Sequence, residues 1–260
     1  MNSADNSLIK VENVSQEFGS EDMVVRPLND VSFTLAKNSF NIIYGPSGSG
    51  KSTLLNVLTG LQSPTRGKVY IDNKDVYAMS RDELANFRAS SLGFIYQTNY
   101  WVKSLNVLDN VAMSVYFSGL TRKSAHKLAY EALEMVDMKS YAHKYPTMLS
   151  GGEQQRIAVA RALATNPSYI IADEPTGSLD STNGDKIMSL LVRCQRDLDR
   201  TIILVTHNLE YMPLADKLLH IEDGQVKEIN EGSIKQTTDV LFADMRSRMH
   251  RLEKAQTDVK

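Results

Sequence analysis

Apolar positions along the chain follow two rhythms, and the points where one replaces the other divide it into three stretches. Over roughly the first 45 residues, the short runs "SLIKVENVSQEF", "VSFTLA" and "FNIIYG" are separated by the polar turns "GSED" and "AKNS". Alternation in "VSFTLA" predicts a half-exposed antiparallel strand, whereas "NIIYG" shows no polar face and predicts a strand buried on both sides. A strand at "GKVYID", a polar helix around "SRDELANFRAS" and a buried strand at "LGFIYQ" follow.

From residue 98 to about 165 the period lengthens. Leu108, Val111, Ala112, Val115 and Tyr116 recur at helical spacing, as do Ala125, Leu128, Ala129, Ala132, Leu133 and Val136. This predicts an all-helical insert within a domain of strands and helices. Strands return at "SYIIAD", "TIILVTH" and "KLLHIEDG", with the helix "TNGDKIMSLLVRCQRDL" between the first two. The expected class is α/β: a mostly parallel sheet, an antiparallel β-subdomain at the N-terminus and an inserted α-helical subdomain, with ligands at the strands' carboxyl ends. Near the C-terminus, "TDVLFADMRSRMHRLEKAQ" places Leu241, Phe242, Met245, Met249 and Leu252 on one helical face. Such a face packs on its own domain or on a partner. The expected organisation is one unit over residues 1–230, with the helical subdomain inserted, and a helical tail over 231–260.

Composition narrows the classes. With 42% hydrophobic and 23% charged residues, the chain of 260 has enough apolar material for one large domain or two modest ones. A net charge of -2 provides no field to draw it onto nucleic acid, and no nucleic-acid partner is expected. The one cysteine, Cys194, rules out an intramolecular disulfide, suits a reducing cytoplasmic setting and reads as a small buried apolar residue. The first residues lack the cationic start and apolar core of a signal peptide, and nowhere do 18 apolar residues run together. Membrane association is expected through a partner.

Candidate chemistry begins at Gly45, Pro46, Ser47, Gly48, Ser49, Gly50, Lys51 and Ser52, which fit G-x-x-x-x-G-K-[ST], with Thr53 continuing the run. Glycines let backbone N–H groups converge on phosphate oxygens at a helix N-terminus. Lys51 would reach the β- and γ-phosphates, and Ser52 would ligate Mg²⁺. A chance glycine turn is the competing reading; the buried strand before it and the helix "STLLNVLTGL" after it argue for the phosphate loop. "YIIADEP" ends a strand on Asp173, suited to hold Mg²⁺, and Glu174, suited to polarise an attacking water. His207 closes "TIILVTHN" at another strand's carboxyl end, where it would touch a γ-phosphate or that water. His126, His143, His220 and His250 show no metal-ligand spacing.

A second glycine-bearing run, "LSGGEQQR", offers another anion site at the start of a helix, formed by Ser150, Gly151, Gly152 and Glu153. Its order with "GPSGSGKST", Gln97, "YIIADEP", "GSLD" and "VTHN" resembles that of ATP-binding-cassette (ABC) ATPases over roughly residues 8 to 230. The resemblance implies ATP and Mg²⁺ as ligands, and a homodimer in which each signature run faces the other copy's ATP. It implies further that Gln97 senses the Mg²⁺ or the water, that Asp180 bridges the protomers, and that Phe18 stacks on adenine. A core position is the other reading of Phe18.

The stretch "MSRDELANFRASSLGFIYQ" with "LNVLDNVAM" resembles the lipoprotein-release and macrolide-export branch. That branch implies a permease with large extracytoplasmic domains and a place on the inner face of the membrane. Relatives continue Gln-Phe-x-x-Leu-Leu-Pro where this chain reads "QTNYWVKSLNV"; Tyr100 and Trp101 fall where a permease would dock. An importer ATPase and a soluble, non-transport family member are the alternatives.

Overall fold

The computed structural model describes residues 7–20 and 23–229, so the helical tail expected from Thr238 lies outside the described residues. Two long antiparallel strands open the chain, β1 (Ser7–Ser20) and β2 (Met23–Ala36). The alternation in "VSFTLA" appears as buried Val31, Phe33 and Leu35 against exposed Ser32 and Ala36. β2 runs longer than its apolar pattern, through Pro27. It lies at the edge of its sheet, where a residue without an N–H is tolerated.

The chain crosses to β3 (Phe40–Tyr44) and α1 (Lys51–Leu58), then returns as β4 (Arg66–Ile71) and the short β5 (Lys74–Asp75). These complete an antiparallel sheet of order β2-β1-β4-β5. The polar helix α2 (Arg81–Ser91) buries none of its residues and starts in a capping box between Ser80 and Glu83.

A second sheet contains β6 (Leu92–Tyr96), β7 (Tyr169–Asp173), β8 (Thr201–Thr206), β9 (Lys217–Glu222) and β10 (Gln225–Ile229), in the order β10-β9-β3-β8-β7-β6. Its five strands from β9 to β6 are parallel, and β10 turns back antiparallel through Asp223 and Gly224, both at positive φ. Strand alternation then sorts the core. Ile42, Ile170, Ile202 and Leu204 face one apolar cluster with the helical stretch, while Ile43, Ile171, Ile203 and Val205 face another with α1 and the antiparallel sheet.

Between β6 and β7 the chain forms α3 (Val107–Tyr116), α4 (Arg122–Met135) and α5 (Gly151–Leu163). The helical spacing of the sequence is realised: Leu108, Val111, Ala112, Val115, Ala125, Ala129, Ala132 and Leu133 are all buried. α5 is buried over most of its circumference, because its alanines permit close approach to β6, α3 and α4 at once. Among the described residues the last α-helix is α6 (Ser181–Leu198), which carries Cys194; burial pushes its thiol up to about 12. Among the described residues no helix is long and apolar enough to cross a membrane.

Candidate functional site

Register brings the candidate residues to one sheet edge. Tyr44 pairs with Thr206, Asp173 with Val205 and Tyr96 with Asp173, so β3, β6, β7 and β8 end nearly level. The Gly45–Ser52 loop, Gln97, Glu174 and His207 leave the sheet there. This is the carboxyl edge at which open parallel sheets place their ligands.

The first loop is wedged between two neighbouring strands. Gly50 has φ +104, and a Cβ built on it would stand 2.1 Å from the Pro27 carbonyl oxygen. Any side chain there meets both backbone strain and a clash. Lys51 turns its ammonium back to donate to the carbonyl oxygens of Gly45, at 2.8 Å, and Pro46, at 2.7 Å. Gly50 is the N-cap of α1, so no side chain satisfies that helix's first N–H groups, and no acidic residue stands in its first turn. Donors left open at a helix start, with a lysine beside them, suit a phosphate.

The acidic pair occupies two environments. Burial, and after it the neighbouring Glu174, push the Asp173 carboxyl above its ordinary value, with Lys51 pulling the other way. Glu174 stands at φ +47, a conformation disfavoured for a residue with a side chain, held by its N–H donating to Val205 O at 2.9 Å. Its Oε1 lies 2.8 Å from His207 Nδ1, and Thr206 Oγ1 approaches Oε2 at 3.4 Å. Gln97 joins them from the side: a Cβ on Gly177 would come within 2.8 Å of Gln97 Nε2. Glu174, Thr176, Gly177, Leu179 and His207 line one hollow of about 350 Å³.

Ser52, exposed at the start of α1, and Asp173 are hard oxygen donors of the kind Mg²⁺ takes. Among the described residues no group of three or more His, Cys, Asp or Glu side chains could cage a metal. The donor set therefore fits a cation that keeps most of its water or takes oxygens from a nucleotide.

At the second loop, α5 begins in a capping box. The Ser150 N–H and hydroxyl both donate to Glu153 Oε2 at 2.8 Å, and Glu153 N–H donates to Ser150 Oγ at 3.4 Å. Those bonds, with one from Tyr141, hold the Glu153 carboxyl below its usual range. The S-x-x-E spacing announces such a box, so this arrangement was readable from the sequence. Asp180 caps α6, accepting from Asn183 N–H at 2.9 Å and from Asn183 Nδ2 at 2.7 Å. Phe18 is 45% exposed and lies across β1 and β2 from exposed Val25, so it is not a core residue.

A third feature lies beside the helical stretch. An apolar groove of about 650 Å³ opens between α2, β6, α3 and α5, with Tyr100 (72% exposed) and Phe117 (76% exposed) on its walls. Trp101 is half-buried, donates from Nε1 to Gln154 Oε1 at 2.9 Å and stacks over the Arg161 guanidinium at 4.5 Å. Arg161 and Gln154 sit inside a helical run whose periodicity gives no hint of these contacts.

Comparison with known proteins bears on the fold and the family. A family model described as "ABC transporter" matches residues 28–177. An uncharacterised ABC transporter ATP-binding protein of Methanocaldococcus jannaschii is 38% identical, over 85% of this chain and 95% of its own. The lipoprotein-releasing system ATP-binding protein LolD of Buchnera aphidicola subsp. Schizaphis graminum is also 38% identical, over 85% of this chain and 96% of its own. Among solved structures, a dimeric post-hydrolysis ATP-binding cassette bound to ADP and Pi superposes with TM-score 0.78 at 36% identity, covering 85% of this chain and 98% of that one.

Proposed function

The chain belongs to the ABC transporter family of ATP-hydrolysing subunits, and on that premise we propose that two copies close on ATP and drive a partner permease of the export or force-transmitting kind. The observation that carries this reading is Glu174, mostly buried and held at 2.8 Å against His207, at the sheet edge shared with the lysine-bearing loop. A carboxylate so placed accepts a proton from a water attacking the γ-phosphate, and His207 fixes its orientation. The open start of α1 and Lys51 bind the phosphates; Lys51 exchanges its carbonyl partners for phosphate oxygens. Phe18 offers its exposed face to the adenine.

Ser52 and Asp173 would hold Mg²⁺, with Gln97 sensing it, and the ion would supply charge neutralisation for the β- and γ-phosphates. It would also relieve the carboxylate repulsion between Asp173 and Glu174. Ser150, Gly151 and Gly152 serve the other copy's nucleotide, with the Glu153 carboxylate capping α5 behind them. Asp180, at the head of α6 beside Gly152's neighbour Asn183, bridges the two copies. The likeness to LolD supports the export or force-transmitting branch, and the apolar groove with Tyr100 on its wall is the docking place for the permease.

Glu174→Gln tests the reading. It should keep ATP binding, lower hydrolysis by about 10²- to 10⁴-fold, and accumulate an ATP-bound dimer on size exclusion. Unchanged turnover would remove Glu174 from the chemistry.

A further inference from the structure

Arg161 projects from α5 into the apolar groove. Burial pulls its guanidinium down from its ordinary value, yet an arginine remains charged. Among the described residues no carboxylate pairs with it, and its N–H groups donate to none of the chain's own acceptors; its contacts are the Trp101 ring at 4.5 Å and the field of Tyr96. Stacking satisfies only the flat face of a guanidinium, because the five N–H donors point outward in its plane. Thr165, also on the groove, has a buried hydroxyl with no hydrogen-bond partner. A half-desolvated cation with unused donors, on the floor of an apolar trough, is costly unless an anion arrives.

We propose that the permease segment seated in this groove carries an acidic side chain among apolar ones, and that its carboxylate pairs with Arg161. The inference rests on reading the groove as the docking place, and it adds a specificity rule to it. Apolar side chains of the segment cover Tyr100 and Phe117, while the carboxylate takes the N–H edges that Trp101 leaves unused. A segment with a neutral residue at that place would leave the cation buried and unpaired, and one with a basic residue would be expelled. The area of apolar wall makes the segment stick; the guanidinium decides which segment and in what register.

The test is retention of the full chain on washed membranes from cells that express it with its permease, for wild type, Arg161→Gln, Arg161→Lys and the pair Tyr100→Ala/Phe117→Ala. Arg161→Gln should lower retention about thirtyfold or more, and Arg161→Lys, which keeps the charge and loses the planar fork, by clearly less. ATP binding by every variant should match wild type, and a melting temperature within a few degrees of wild type shows that the fold is kept. Should Arg161→Gln not fold, Arg161→Lys and the loss of wild-type retention with rising NaCl carry the test.

If the Tyr100/Phe117 pair detaches while the Arg161 variants stay bound, the carboxylate proposal is overturned and docking stands. If neither set detaches, the docking reading itself falls. If removing residues 231–260 abolishes the effect of Arg161→Gln, the guanidinium serves the chain's own tail and the proposal is overturned.

Discussion

The two glycine-bearing loops both begin helices, yet they are finished in opposite ways. α1 starts at Gly50 with no side-chain cap and no acid in its first turn, and the nearest charge is the Lys51 ammonium. α5 starts at Ser150 with a complete capping box, and the nearest charge is the Glu153 carboxylate. One helix start therefore invites an anion from solution, while the other already has one of its own. The glycines differ too: Gly50 is obligatory for the loop's own path, whereas a Cβ on Gly151 would meet only Leu179 Cδ2, at 3.6 Å. The first loop is shaped by its own chain's packing at Gly50; in the second, Gly152 is crowded by Asn183, 2.8 Å from a Cβ built there, whereas Gly151 has room for a side chain.

The largest test of this contrast pairs Gly50→Ala with Gly151→Ala. Gly50→Ala should cost about 3 kcal/mol or more in urea unfolding, with ATP binding lost, because strain and a backbone clash add. Gly151→Ala should stay within about 0.5 kcal/mol of wild type and bind ATP as a monomer, while dimer-dependent hydrolysis falls. Equal destabilisation by both would break the comparison.

A middle-sized effect comes from Glu153→Gln. Losing the ionised cap of an exposed side chain should cost about 0.5 kcal/mol of stability, screened by solvent. The ATP-bound dimer of that variant should be several-fold tighter by sedimentation, because Ser150 is freed to face a partner's phosphate without a competing carboxylate. A weaker dimer would show that Glu153 supports the partner's nucleotide directly.

The smallest effect is at Asp173. Its carboxyl is raised in the folded chain, so the folded state binds a proton more readily than the unfolded one. Stability therefore falls as pH rises from the unfolded aspartate value through the raised native one, and the loss persists above that window. Asp173→Asn should melt about 1–2 °C higher than wild type at neutral pH, with the gain vanishing in acid. The same variant should lose Mg²⁺-dependent hydrolysis, so activity and stability move in opposite directions.

Much of this was readable in advance because local pattern and local chemistry coincide. The alternation of "VSFTLA", the helical spacing from Leu108 to Val136 and the strand–loop–helix setting of Lys51 all depend on near neighbours. β10 was also within reach: "EDGQ" is an Asp-Gly turn between alternating runs. The first half of β2 was harder, because Pro27 argues against a strand until its place at a sheet edge is known. The contact between Glu174 and His207 depends on strand register, and the missing acceptor of Arg161 depends on Trp101, which lies far from it in sequence. No window along the chain contains either fact.

Trp101 is the chain's one tryptophan, and its indole N–H reaches Gln154, which in turn donates to Leu149 O just ahead of Ser150. Emission excited beyond the absorption of the eleven tyrosines thus originates at a single ring, set between the trough and the second loop. Occupying either neighbour would alter the polarity or quenching around that ring, so a native fluorophore already stands at the junction and time-resolved work on the cycle can begin without attaching a dye.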